Sequence, residues 1–308
     1  MPGPTVVLAL LAALSNASAS VLQRRAATDG PAGGRGARSA LRRPAHVPAG
    51  PAWPAGAALL AVSAVLQASA LAVGGLSLVQ PLPASELLFT LAVGSVVFRR
   101  RPGGHTWYAF TALAVGMALF LATAAPAEGR STALPERWLP AGGALLGAVV
   151  LLLVAARLVR GPPRAALLGP ASAVLFAGTA ALLKEVMGRL PQGVGTVLSP
   201  WPPYATAAVG LPAFLLLQSA FHAGSLTVSQ PALTLGDALT GVALGWALFD
   251  EHVMLGARLV PETIGVALIG LGSVGLARAP SVGGGWDAAP AGPLDPYTGT
   301  ARAAFPEP

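Results

Sequence analysis

Residues 66–81 read LQASALAVGGLSLVQP, and residues 217–231 read LQSAFHAGSLTVSQP. Both begin Leu-Gln. Gly74-Gly75-Leu76-Ser77-Leu78-Val79-Gln80-Pro81 aligns with Gly224-Ser225-Leu226-Thr227-Val228-Ser229-Gln230-Pro231 without a gap. Each copy then runs through an apolar stretch to a phenylalanine, Phe98 or Phe249. Charges and a further Gly-rich span follow in both. Matches at Gly, Leu, Gln and Pro in register exceed what two Ala/Leu-rich helices share by composition. The chain is therefore read as an internal repeat.

What surrounds the repeat is almost uniformly apolar. Of the 308 residues, 54% are hydrophobic and only 10% are charged, and the mean hydropathy is +0.66. Soluble domains carry about 25% charged residues, so a solvated surface cannot be assembled here and lipid must cover much of the outside. Net charge is +7. Its arginines sit at the ends of apolar runs, where membrane topology places them, so no nucleic-acid partner is expected. Only one of the 19 basic residues, Lys184, is a lysine. That bias, with abundant Ala, Gly and Pro, is the signature of a GC-rich bacterial genome. Cysteine is absent, which removes disulfides, Cys-ligated metals and thiol nucleophiles.

Nine runs are long enough to cross about 30 Å of hydrocarbon, which takes about 20 residues. They cover residues 4–22, 54–73, 76–98, 106–124, 139–156, 165–186, 203–222, 225–249 and 261–277. Their length and lack of period-two alternation predict helices. Arginine placement fixes the parity. Arg24, Arg25, Arg35, Arg38, Arg42 and Arg43 follow span 1; Arg99, Arg100 and Arg101 follow span 3; Arg157, Arg160 and Arg164 follow span 5; Arg278 follows span 9. Nine spans with the N-terminus outside put all four clusters on one side, leaving Arg130, Arg137, Arg189 and Arg258 opposite. Val6–Leu14 with the Ser-Asn-Ala-Ser-Ala-Ser that follows resembles a signal peptide. It lacks a basic leader, however, and cleavage would export the six-arginine loop.

The expected fold is all-α and polytopic: two inverted four-helix repeats joined by a connector helix. Residues 1–124 hold spans 1–4, with a disordered basic loop at 24–52. Residues 125–164 hold span 5. Residues 165–278 hold spans 6–9, and 279–308 form a disordered cytoplasmic tail. A single connector crossing turns the second copy upside down. Inverted copies with sites at their interface near the midplane are a recurring secondary-transporter plan. The expected location is the bacterial inner membrane, with the C-terminus cytoplasmic.

Polar residues inside apolar runs are the candidate site. Glu86 lies mid-span 3 and Asp237 mid-span 8, six and seven residues after their Gln-Pro pairs. A carboxylate at a helix centre costs about 2.5–3.5 kcal/mol, which is lowered by protonation or a wet cavity. Both are read as proton- or cation-binding groups. Gln80 and Gln230 begin their spans, beside prolines that free backbone carbonyls. Gln67 and Gln218 are related by the repeat. These four glutamines are candidate solute contacts. Lys184, closing span 6, is a candidate counter-charge for Glu86 or Asp237. His222 lacks local partners for a metal, and the metal site is unassigned. Gly241 and Gly245 form a GxxxG pair in span 8.

These residues resemble the drug/metabolite transporter superfamily (DMT, EamA-like) and, within it, the NIPA-like magnesium transporter branch. Leu22-Gln23-Arg24-Arg25 is similar to that branch's Leu-Gln-Lys-Lys, and Trp53 to the tryptophan that opens its span 2. Leu78-Val79-Gln80-Pro81-Leu82 is similar to its Leu-Val-Thr-Pro-Leu, and Lys184 to the lysine closing its span 6. Ser63-Ala64 stands where the branch has Gly-Glu, and Gln67 where it has asparagine. The resemblance, over residues 5–278, implies nine spans and transport of a small solute or metabolite with a proton or cation as the candidate coupling ion. Mg²⁺ or another divalent cation is the alternative cargo. A non-transporting membrane scaffold is the alternative from another class. No Walker A loop, GxSxG elbow or HExxH motif is present, so neither an enzyme nor a cofactor is expected.

Overall fold

The computed structural model describes residues 3–29, 52–99, 101–123, 129–160, 162–193, 195, 197, 201–223, 226–251 and 259–278. Among them there is no strand. Seven stretches are long and apolar enough to cross a membrane: Gly3–Gln23, Pro54–Val73, Leu76–Val97, Gly104–Thr123, Pro135–Leu158, Pro163–Gln192 and Ala232–Phe249. The chain is an all-helical membrane protein. Helices over Pro202–Ala223 and Leu259–Ala277 occupy the two remaining apolar runs but fall outside those seven. The tail 279–308 and residues 30–51 lie outside the described residues.

In chain order the helices are α1 (Gly3–Asp29), α2 (Ala52–Val73), α3 (Leu76–Val79), α4 (Glu86–Val97), α5 (Gly104–Thr123), α6 (Pro135–Leu158), α7 (Pro162–Arg189), α8 (Pro202–Ala223), α9 (Leu226–Phe249) and α10 (Leu259–Ala277). Proline opens α6, α7 and α8, where its missing N–H is not needed. Span 3 is broken instead. Pro81 and Pro83 remove two consecutive-turn donors, so a 3₁₀ turn over Leu82–Ser85 separates α3 from α4. Ser85 Oγ donates to the Leu82 carbonyl at 2.6 Å within that turn. With a single proline near its start, α9 stays continuous. The end of α1 corrects the expected loop boundary at residue 24: helix continues to Asp29 because Arg24-Arg25-Ala26-Ala27 are good helix formers.

Helices pack in matching pairs. α1 lies on α2, and α7 on α8. In each pair a serine crosses the contact: Ser63 Oγ donates to the Ala12 carbonyl and Ser172 Oγ to the Ala213 carbonyl, both at 2.8 Å. α1 also packs on the 3₁₀ turn and α4, as α7 packs on α9. α5 and α10 meet through glycines. A Cβ on Gly272 would stand 2.5 Å from the Leu113 amide nitrogen, and one on Gly116 2.7 Å from that of Ile269. Backbones therefore touch directly, the close approach that small residues permit within lipid. α6 is the barest of those seven spans, with Val149 and Ala156 its buried residues. Leu139, Leu146, Leu151 and Leu158 stand exposed along it, a surface suited to lipid.

Candidate functional site

Span 3 and α9 pack antiparallel. A Cβ on Gly245 would come within 3.2 Å of the Ser77 amide nitrogen, and one on Gly241 would strike the Gln80 side chain. The GxxxG pair thus seats span 3 against α9. One turn deeper, Gln80 Nε2 donates to Asp237 Oδ1 at 3.2 Å. Gln80 is buried and Asp237 half-buried. This contact joins residues 157 positions apart. Glu86 begins α4 directly after the 3₁₀ turn, and Asn16 of α1 hydrogen-bonds its side chain. Each acid therefore has an amide partner on another helix.

The remaining expected site residues divide. Gln67 is half-buried on α2, and Gln218 is exposed on α8. No hydrogen bond joins either to Glu86 or Asp237 among the described residues. The side chains of Gln230 and His222 lie outside the described residues. Lys184 is a correction: it is buried, but it pairs with Glu251 rather than with Glu86 or Asp237. The reason is position. Lys184 lies at the end of α7, level with the start of α3 and the residues after α9.

At that end the chain builds a buried polar node. Lys184 Nζ contacts Glu251 Oε1 and lies 4.5 Å from the centre of the Phe249 ring. Glu251 also accepts from the Leu76 and Ser77 amides, each at 2.7 Å, and from Ser77 Oγ at 2.6 Å. Gly75, which precedes α3, offers no side-chain cap, so Glu251 caps α3 from across the molecule. Gly245 and Gly75 leave the room this carboxylate needs. Burial pushes the Glu251 carboxyl up, but the Lys184 ammonium and the Ser77 hydrogen bonds outweigh it and hold the group below the usual range. Next to Lys184, Glu185 is wholly buried. It accepts from the Ala133 amide at 2.7 Å and pairs with Arg189 at 2.6 Å. Asp250, held at φ 54°, pairs with Arg137 and, at 3.5 Å, with Arg130. The α2–α3 junction, the segment before α6, the end of α7 and the end of α9 all converge here.

Sequence reasoning missed Glu251, Glu185 and Asn16. Asp250 and Glu251 lie just beyond the last residue of span 8, outside the apolar runs that supplied the candidates. Asn16 sits among serines that resemble a cleavage site, although an amide in mid-span carries the same signal that selected Gln67. Among the described residues no three His, Cys, Asp or Glu side chains gather as a metal would need.

No family model and no solved structure matches the chain. It is similar to an uncharacterized protein of Corynebacterium glutamicum, 29% identical over 252 residues, which cover 80% of this chain and 84% of that protein.

Proposed function

We propose that this protein is a secondary transporter of the drug/metabolite type. Nine spans form two inverted halves that move a small solute past Glu86 and Asp237. The single observation that carries this reading is the Gln80–Asp237 hydrogen bond between the two copies of the repeat. An acid and an amide from related segments meet at the interface where inverted-repeat carriers hold their cargo.

Several features support the inverted halves. Contacts run in reverse order between related segments: Ser77 beside Gly245, Gln80 beside Gly241, and likewise Leu113 beside Gly272 and Gly116 beside Gly265. Related segments are therefore antiparallel. α4 is capped by Phe98 and α9 ends at Phe249, and each phenylalanine is followed by a residue at positive φ, Arg99 at 51° and Asp250 at 54°. The four connections that nine spans assign to the outer side gather at one end. In this reading Glu86 and Asp237 bind the coupling proton or cation, Gln80 and Gln67 contact solute, and Asn16 positions Glu86.

Purified protein in liposomes tests this. Glu86→Gln and Asp237→Asn are expected to lower solute or cation flux at least tenfold while the protein stays folded by circular dichroism. Normal flux in both variants would remove the two acids from the mechanism. Candidate cargo comes from comparing metabolites and metals in deletion and overexpression strains. A change confined to magnesium would favour the divalent-cation cargo. A protein that moves nothing but captures a stable partner would be a scaffold.

A further inference from the structure

We infer that Glu251 is a latch closing one end of the pathway, released when the two halves part. This rests on the transporter reading above for its purpose, but not for its geometry. Glu251 and Lys184 both belong to the second half; Leu76 and Ser77 belong to the first. The three hydrogen bonds from Glu251 to Leu76 and Ser77 are thus bonds between halves. Lys184 stays with Glu251 in either state, because α7 and α9 pack together. It neutralises the carboxylate, which lets a buried acid serve as a detachable cap rather than a stranded charge.

Depth makes this arrangement a closure. Gln80 lies one helical turn inside Ser77, and the contact between α3 and α9 is tight enough that Gly241 and Gly245 have no room for a side chain. Glu251 and Lys184 are 1% and 4% exposed. No solute passes that seam while the bonds hold. Opening this end requires span 3 to lift from α9. The start of α3 then loses the cap that Glu251 supplies, and water must replace it.

The chain has no cysteine, so a thiol introduced by Gln80→Cys is a unique reporter placed inside the latch. Proteoliposomes carrying Gln80→Cys are exposed to a membrane-impermeant maleimide, and the labelling rate is read by mass shift. Adding Ser77→Ala removes one charge-assisted bond and is expected to raise the rate about tenfold. Glu251→Gln is expected to raise it further. Glu185→Gln loosens the same end without touching a bond between halves, and is expected to leave the rate unchanged. Unchanged labelling with both Ser77→Ala and Glu251→Gln overturns the latch. So does an equal rise with Glu185→Gln, which marks general loosening. Because labelling needs no solute, the two readings fail separately. Unaltered labelling with flux lost in Asp237→Asn removes the latch and keeps the carrier. Raised labelling with flux untouched by Asp237→Asn keeps the latch and removes the acid site.

Discussion

Glu251 and Lys184 show how one buried pair sets the behaviour of several elements. Removing one member of a buried pair strands the other, at about 3–5 kcal/mol. Glu251→Gln is therefore expected to lower the thermal midpoint in detergent sharply. Lys184→Met added to it is expected to restore part of the loss, since no buried charge then remains. The pH dependence has a definite sign. Lys184 faces Glu251 directly, while neighbouring Asp250 is engaged by Arg130 and Arg137. The folded-state value of Glu251 is depressed below 4.5. Its contribution is thus complete above that value and is lost as pH falls through the folded value. The midpoint gap between parent and Glu251→Gln is expected to stay constant near neutrality and close below pH 4.5. A gap that widens on acidification would contradict the assignment. Lys184 itself was legible as a candidate counter-charge because it closes span 6. Its partner was not, because the two lie 67 residues apart and the acid sits in a stretch that reads as a loop.

At the level of elements, glycine decides which helices touch. Gly272 and Gly116 on the α5–α10 seam leave no room for a Cβ against backbone. Gly272→Ala is expected to destabilise the protein by about 1–3 kcal/mol, the usual result of overpacking. Gly142, Gly143 and Gly147 on α6 have nothing within 4 Å of a built Cβ. Gly147→Ala is expected to be neutral or stabilising by up to about 1 kcal/mol through helix propensity. Paired melting curves check both, and equal effects would refute the seam. Most helix positions were legible because apolar runs of bilayer length admit little else. Boundaries were less so. Arg24 and Arg25 signal topology and favour helix at once, and the helix prevailed to Asp29. The break in span 3 followed from Pro81 and Pro83, but the 3₁₀ turn that presents Glu86 at the head of α4 needed coordinates.

Across the whole molecule, α1 packs on α2 as α7 packs on α8, and span 3 meets α9 antiparallel as α5 meets α10. These are contacts that the inverted repeat proposed from residues 66–81 and 217–231 would require. The two segments differ in one respect: span 3 is broken and α9 is a continuous helix, because span 3 holds the extra proline Pro83. The proposed function places its two acids where the proposed halves meet. Asp237→Asn is expected to act on flux, whereas Ser77→Ala acts on access. A double variant is expected to show raised labelling of a thiol at position 80 together with lost flux.

α1 adds a consequence of depth. It has 27 residues from Gly3 to Asp29, so at 1.5 Å per residue it is about 40 Å long, close to the thickness of a bilayer with its headgroups. Asn16 stands midway along it, about 20 Å from either end. The Asn16–Glu86 contact thus falls near the level where half of any transmembrane voltage has dropped. An ion or proton arriving there from one face does electrical work of about 1.2 kcal/mol per 100 mV, half the full-crossing figure. In the proposed carrier, binding of a proton or cation at Glu86 is expected to depend on voltage, and current recorded against imposed potential to bend with about half an elementary charge.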